Sequence, residues 1–179
     1  MNKKIAITGH TKRIGKAIYE AFPGSVGCGR GDGGDITTLE GRTMILHQAM
    51  NCDVFINNAH DGFSQVEMLN MMYTAWKDKE DKLIINIGTD AVPYTNWQVV
   101  HRQYPVEKMA LHAQSELLQN EQRKCKITTL ALGHVNTEFN KEYDGAKLSY
   151  NNIIDNIKWI ISNESEIKFM VISARNNNE

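Results

Sequence analysis

The sequence of 179 residues is poor in the features that mark several specialised classes of protein. Its three cysteines, Cys28, Cys52 and Cys125, are far apart and lack metal-ligand spacing, so they indicate reduced thiols rather than disulfides or a zinc site. The 20 basic and 21 acidic residues leave no net field that would attract nucleic acid or an anionic membrane. No apolar run approaches the ~20 residues of a membrane span, and the N-terminus shows no signal-peptide region. We therefore expect a cytoplasmic protein that binds neither nucleic acid nor membrane.

The bulk composition is that of an ordinary globular domain. Apolar residues make up 41% of the chain and charged residues 23%, both within the usual range. The length leaves room for one core, so we expect a single domain over residues 1–174. The polar segment 175–179 is expected to be a frayed tail.

Short β-branched runs alternate with helical patterns along the chain. The alternation predicts an α/β fold, a doubly wound, mostly parallel sheet in three α/β/α layers that is Rossmann-like. The segment after residue 29 is too short for a crossover helix, so one helix of the alternation is missing. Ligands bind such sheets at the carboxyl ends of the strands. The predicted strands are 4–8, 25–29, 35–37, 53–57, 82–87, 127–132 and 167–173, and the predicted helices are 14–22, 39–50, 65–77, 104–124 and 153–161.

Basic residues lie after the first two predicted strands, where an anionic cofactor would be expected. Residues 8–15 form a turn with two glycines before a helix, and the free N–H groups and dipole of a helix start favour a phosphate. Lys12 and Arg13 lie in this turn, and Arg30 ends the second strand with no acidic residue directly after it for a ribose hydroxyl. The three residues predict a 2′-phosphate and therefore NADP(H), with NAD(H) less favoured. The alternative is that they are solvated surface charges.

Tyr104 and Lys108 lie one helical turn apart at the start of the long helix 104–124, with a phenol and an ammonium on one face. An unaided phenol has a pKa near 10, and a neighbouring ammonium lowers that pKa toward neutral pH. Such a pair can act as a general acid and base. Two further tyrosine–lysine pairs, at 73/77 and 143/147, repeat the interval. Spacing alone therefore does not choose between the three.

Four motifs occur in the order and strand positions of one known family: Thr8-Gly9 with Gly15, Asn57-Asn58-Ala59, Tyr104 with Lys108, and Gly133-x-Val135-x-Thr137. Over nearly its whole length the chain resembles the short-chain dehydrogenases/reductases. Of the three tyrosines only Tyr104 follows the fifth strand and opens the next helix, as in that family. The resemblance implies that Thr89 holds a substrate carbonyl, Tyr104 is the acid and base, and Lys108 lowers its pKa and holds the nicotinamide ribose. The cofactor-binding residues it implies are Gly9, Thr11, Lys12, Arg13, Ile14, Gly15, Arg30, Asp35 and Ile36 beside adenine, Asn57, Asn58, Ala59, Tyr104, Lys108, Gly133, and Val135 and Thr137 at the carboxamide.

Several positions depart from the pattern of that family. Arg13 and His60 stand where glycine is usual, and Leu132 stands where proline is usual. The helix-borne asparagine of the family has two possible equivalents, Asn70 and Gln65. The lid segment 138–152 is short, which suggests a small or open substrate site. Three histidines follow predicted strands, and hydrogen-bonding or anion-contacting roles are favoured over a metal site, which we do not expect; they are His10, His60 and His134.

The sequence therefore predicts an NADP(H)-dependent oxidoreductase that reduces a small carbonyl compound or oxidises the alcohol. The alternative is a catalytically weak or inactive nucleotide-binding regulator or scaffold on the same fold. The helices near residues 65 and 104 commonly form interfaces in the family, so a homodimer or homotetramer is also expected.

Overall fold

The computed structural model describes residues 3–90 and 103–175. Its strands are β1 (Ile5–Thr8), β2 (Val26–Cys28), β3 (Val54–Asn57), β4 (Leu83–Thr89), β5 (Lys126–Leu132) and β6 (Phe169–Ile172). Its α-helices are α1 (Arg13–Ala21), α2 (Leu39–Ala49), α3 (Ser64–Trp76), α4 (Gln103–Gln119) and α5 (Tyr150–Ser162). Two short 3₁₀ turns lie at Arg30–Asp32 and Glu138–Asn140.

The strands form one sheet in the order β2-β1-β3-β4-β5-β6, and every pairing is parallel. Alternate strand residues face two separate apolar clusters, as parallel strands buried on both sides require. One cluster lies under α2, α3 and α4 and includes Phe55 and Trp76. The other lies under α1 and α5 and includes Ile56 and Ile157. The predicted doubly wound, three-layer fold is confirmed.

The predicted third strand at residues 35–37 is wrong, because this segment is a turn. Its polar groups are satisfied locally: the Asp35 carboxylate accepts hydrogen bonds from Thr37 N and Oγ1, at 3.0 and 2.8 Å. Thr38 then caps α2 by accepting from Gly41 N at 3.0 Å. The chain passes from β2 to β3 through α2 alone, and β2 is an edge strand. A helix and a strand of the regular alternation are thus both missing between β2 and α2, whereas the sequence predicted that only a helix is missing.

Helix α4 ends at Gln119, five residues before the predicted end. A turn follows, in which Asn120 N donates to Leu117 O. Arg123 lies in this turn, and its guanidinium donates to Gln119 O at 3.1 Å and pairs with Glu166 at 2.8 Å. The terminal carbonyl of the helix is therefore capped by a side chain, so the helix need not continue.

The surface of the helices bears on two predictions, the absence of a membrane span and self-association. In the part of the chain that the structure describes, no helix is long and apolar enough to cross a membrane. Met68 and Met72 of α3 are buried in the core of the protein. The exposed apolar residues of α4 include Val106, Met109 and Leu117. Self-association through α4 stays a prediction.

Candidate active site

The turn after β1 is tied to the end of β3 by a set of hydrogen bonds. Thr8 Oγ1 accepts from the backbone N–H groups of Asn58 and Ala59, both at 2.9 Å. Asn58 Nδ2 donates to Thr8 O at 3.0 Å. Gly9 has φ +69°, a left-handed conformation that glycine adopts without a steric cost. Two of the predicted motifs, at 8–9 and 57–59, thus form one structural unit at the carboxyl edge of the sheet.

The start of α1 leaves its first N–H groups without a side-chain cap. The N-cap residue Lys12 makes no capping hydrogen bond, and the first turn contains no acidic residue. A Cβ on Gly15 would collide with the carbonyl oxygen of Gly9, so the helix and the turn approach each other at backbone distance. Thr11, Lys12 and Arg13 are exposed. This is a glycine cradle beside a helix start, which favours an anion.

Arg13 explains one departure from the family pattern. Its φ is +50°, which makes it the only residue other than glycine with positive φ in the described ranges 3–90 and 103–175. The backbone at Arg13 therefore has a left-handed conformation, which glycine adopts without a steric cost. For an L-residue this conformation costs roughly 1–2 kcal/mol.

Arg30 is exposed and lies between two carboxylates. Its Nε is 3.1 Å from Asp35 Oδ2, and its Nη2 is 3.3 Å from Asp61 Oδ2. Hydrogen bonds from Thr37, with the charge of Arg30, lower the pKa of Asp35. The side chain of Ile36 is in the core, at 6% exposure, so the implied contact with adenine does not fit this side chain.

Thr89, Tyr104 and Lys108 come together at the end of β4. Thr89 is the last residue of this strand and is buried. Its side chain hydrogen-bonds to the hydroxyl of Tyr104, in the first turn of α4. Lys108 Nζ lies 5.7 Å from the centroid of the Tyr104 ring. The three residues that the sequence predicts as catalytic are thus adjacent.

Lys108 is held by neutral groups. It is 3% exposed, and its Nζ donates to Gln65 Oε1 at 2.7 Å and to Ile87 O at 3.0 Å. Burial lowers the pKa of Lys108 to about 7. Gln65 Nε2 donates to Asn57 O at 2.6 Å, which leaves the amide oxygen for the lysine. Of the two possible equivalents of the family's asparagine, Gln65 therefore contacts Lys108.

Asn70, the other possible equivalent, has a different partner. Its Oδ1 accepts from Gln114 Nε2 at 2.8 Å, in a contact between α3 and α4. Asn70 thus joins two helices.

A ladder of buried polar side chains continues beneath this site. Asn57 Nδ2 donates to Asn86 Oδ1 at 3.0 Å, and Asn86 Nδ2 donates to Ser115 Oγ at 3.3 Å. Thr129 Oγ1 also donates to Ser115, at 2.8 Å. The sequence analysis missed Ser115 and Thr129. The signal available was the polar character of residues 86, 128 and 129 within otherwise apolar strands.

The pKa of Tyr104 differs from the expectation. Burial raises this pKa above its ordinary value, the hydrogen bond from Thr89 opposes the rise, and the carboxylates of Asp90 and Glu107 add to it. Lys108 is directed to Gln65 and Ile87 O. The pKa of Tyr104 is thus raised overall in the protein alone, and its lowering by Lys108 together with a bound nicotinamide stays a prediction.

His112 lies against Gly88 of β4. Its buried Nε2 has no hydrogen-bond partner among the described residues, and burial, followed by the charge of Lys108, lowers its pKa to about 4. The imidazole packs edge-on against Phe169, with ring centroids 5.4 Å apart. A Cβ on Gly88 would collide with His112 Nε2. The His112 imidazole therefore fills the space that a side chain at position 88 would take.

The segment after β5 is fixed by its neighbours. Gly133 N donates to Ile172 O at 2.9 Å, and Thr137 N donates to Val135 O at 2.8 Å. Val135 pairs with Leu148 in an isolated parallel bridge. The side chain of Val135 is buried in the cluster under α5, so only its backbone fits the implied carboxamide contact. Thr137 is partly buried.

The three histidines that follow strands do not converge. His10 Nε2 is 3.7 Å from Asp32, His60 Nε2 is 3.0 Å from Glu107, and the ring of His134 stacks on Tyr143 at 3.7 Å. Within residues 3–90 and 103–175 no group of three or more histidine, cysteine or acidic residues is arranged to hold a metal. Tyr94 and Trp97, two aromatic residues that could line a substrate site, lie outside the described residues.

Comparison with known proteins gives a match in structure only. No family model matches the sequence, and no curated protein matches it. A short-chain dehydrogenase from Burkholderia cenocepacia, in complex with NADP, matches with a TM-score of 0.75 at 16% identity over 94% of this chain and 88% of that chain. L-sorbose reductase from Gluconobacter frateurii, with NADPH and L-sorbose, matches with a TM-score of 0.75 at 14% identity over 100% and 98%.

A short-chain dehydrogenase from Leptospira borgpetersenii with bound NAD⁺ matches equally well, with a TM-score of 0.75 at 14% identity over 97% of this chain and 92% of that chain. At such identities the likeness concerns the fold. The chain has the fold of the short-chain dehydrogenases/reductases, which confirms the resemblance at that level.

Proposed function

We propose that this protein is a nicotinamide-dependent oxidoreductase that interconverts a small carbonyl compound and its alcohol, with NADP(H) as the preferred cofactor. One observation carries the proposal: Thr89, Tyr104 and Lys108, from β4 and α4, are adjacent at the carboxyl edge of the sheet. Structurally similar proteins include dehydrogenases and reductases with NADP, NADPH or NAD⁺. A hydroxyl, a phenol and an amine at one point are the groups that proton transfer to a carbonyl oxygen needs.

The residues around α1 fit a dinucleotide. The uncapped helix start, the missing Cβ of Gly15 and the basic residues Lys12 and Arg13 form a cradle suited to a pyrophosphate. Gly9, Asn58 and Ala59 would border it, and Lys108 would hold the nicotinamide ribose. When bound, the nicotinamide supplies or accepts the hydride.

The side chains of the protein would handle the proton. Thr89 would orient the carbonyl oxygen, and the Tyr104 hydroxyl would donate its proton to the alkoxide oxygen that forms. A phenol with a raised pKa is protonated at neutral pH and can therefore donate a proton, although it is a weaker acid than a free phenol. In the reverse direction the phenolate would be the base, so we expect alcohol oxidation to need a more alkaline pH than carbonyl reduction.

Turnover of a panel of small aldehydes and ketones tests this function. We expect NADPH oxidation with at least one member of the panel, together with saturable NADPH binding in a direct titration. Saturable binding without turnover across the panel would favour the regulator or scaffold. Absence of binding to either nicotinamide cofactor would contradict the proposal as a whole.

The preference for NADP(H) is tested at Arg30. We propose that a 2′-phosphate would compete with the Asp61 carboxylate, 3.3 Å away, for the Arg30 guanidinium. Arg30→Ala should weaken NADPH binding by about tenfold with little change for NADH, since a charge-assisted contact contributes ~1.5–3 kcal/mol before solvent screening at this exposed site. Asp61→Asn should strengthen NADPH binding. Titration of each variant with both cofactors measures the ratio, and an unchanged ratio in Arg30→Ala would rule out this preference.

A further inference from the structure

Glu107 places a carboxylate between the two residues of the proposed acid–base pair. It lies just after the first turn of α4, three residues after Tyr104 and one before Lys108, and its side chain is 12% exposed. Its Oε2 is 3.0 Å from Nε2 of His60, which follows β3. A mostly buried carboxylate is costly unless it is paired. His60 therefore holds Glu107 close to the site and lowers that cost.

His60 is also in contact with Tyr104. The two rings meet edge to face, with centroids 5.0 Å apart and planes at 84°. Burial, and then the charge of Lys108, lowers the pKa of His60, so a neutral imidazole is expected at pH 7. A neutral imidazole carries one N–H, and Glu107 can only accept, so this N–H is on Nε2. The pair then carries a single net negative charge beside the phenol.

The groups that face this pair and Tyr104 come from several elements. Asp90, after β4, is a second carboxylate near the Tyr104 phenol. Thr89 hydrogen-bonds to the phenol hydroxyl. The charge of Lys108 lowers the pKa of His60 and the pKa of His112, whereas the charge of Asp61 raises the pKa of His60. Only Lys108 carries positive charge in this set, and its pKa of about 7 leaves it partly neutral at pH 7. The balance of charge around the phenol is therefore negative.

We propose that His60 and Glu107 form a charge-setting pair, in which His60 positions the Glu107 carboxylate so that its charge favours the phenol of Tyr104 over the phenolate. This role rests on the proposed function and makes it more specific, since it returns the site to the protonated state from which Tyr104 donates to a carbonyl oxygen. When the O–H bond of Tyr104 breaks, the proton goes to the alkoxide oxygen and a phenolate remains. The negative pair beside it favours the return of a proton from solvent, which closes the cycle.

Titration of the Tyr104 phenol tests the role of Glu107 without any need for turnover. Protein labelled with carbon-13 at the tyrosine ring is titrated by NMR, and Tyr104→Phe assigns the signal. Glu107→Gln should lower the pKa of Tyr104 by about one unit, because it removes a nearby like charge. Glu116→Gln, the same change at an exposed position of α4, is the matched control and should leave that pKa unchanged. Equal pKa values in wild type and Glu107→Gln would overturn the proposal.

A double-mutant cycle tests whether His60 acts through Glu107. His60→Ala should lower the pKa of Tyr104 because the Glu107 carboxylate is no longer held beside the phenol, and His60→Gln, which keeps an N–H, should restore the wild-type value. In the Glu107→Gln background His60→Ala should have no effect. Equal shifts in both backgrounds would contradict the positioning role.

The titration also separates the two proposals. Loss of the Glu107 effect on the phenol in a protein that turns over carbonyl compounds would reject the pair alone. Persistence of that effect in a protein without turnover would reject the oxidoreductase function alone.

Discussion

Tyr104→Phe is expected to reduce kcat/KM for carbonyl reduction by ~10²- to 10⁴-fold, the usual effect of removing a general acid. The ring and its packing against His60 are kept, and only the hydroxyl that Thr89 contacts is removed. Cofactor affinity should therefore change by less than about fivefold, since one uncharged hydrogen bond contributes ~1 kcal/mol or less. Steady-state kinetics and a direct titration with NADPH measure the two effects.

Tyr73→Phe is the matched control, because Tyr73 has a lysine at the same interval. Its hydroxyl donates to Glu121 at 2.8 Å, and burial raises its pKa to about 12. This change should lower stability slightly and leave activity per folded molecule unchanged. Wild-type activity in Tyr104→Phe would exclude Tyr104 as the acid.

Lys108→Met is expected to change how stability depends on pH. The pKa of Lys108 is about 7 in the folded protein and near the ordinary lysine value of 10.5 in the unfolded chain. Between these values the unfolded chain binds more protons at this position, so this residue makes the wild type more stable as pH rises. Below pH 7 both states are protonated and the penalty for the buried charge is constant. The free energy of unfolding of wild type relative to Lys108→Met should thus increase by a few kcal/mol from about pH 7 to 10.5.

Denaturant unfolding at several pH values measures this difference. Subtraction of the variant removes the contributions of groups common to both proteins, among them Tyr73, Tyr104 and the three cysteines. Lys16→Met, on the exposed face of α1, is the matched control for the loss of a lysine. A constant difference for Lys108→Met would mean that Lys108 is protonated throughout this range in the folded protein.

The sequence was sufficient for most of the fold because its signals are periodic. Buried parallel strands need continuous apolar runs, and the helices between them need an apolar face, so five helices and six strands could be located. The false strand at 35–37 has another cause. A β-branched residue beside aspartate and threonine has strand propensity, but hydrogen bonds from Thr37 to Asp35 stabilise a turn instead.

The candidate site was predictable only as far as its residues follow strands. The resemblance to the short-chain dehydrogenases/reductases brought Thr89 and Tyr104 into one hypothesis, and the structure places them in contact. The pairing of His60 with Glu107 could not be predicted from the sequence, because these residues are 47 positions apart, one in the turn after β3 and the other in α4. The pKa of Tyr104 was missed for a related reason: it depends on burial and on carboxylates whose distance from the phenol no local pattern encodes.

The packing of His112 against Gly88 has a consequence for how this chain can change by mutation. A side chain at position 88 would meet the imidazole Nε2, so a serine there requires the His112 side chain to shift or to be replaced by a smaller residue. The two positions are therefore expected to be epistatic: serine at position 88 should cost less stability when position 112 carries a smaller residue than when it carries histidine.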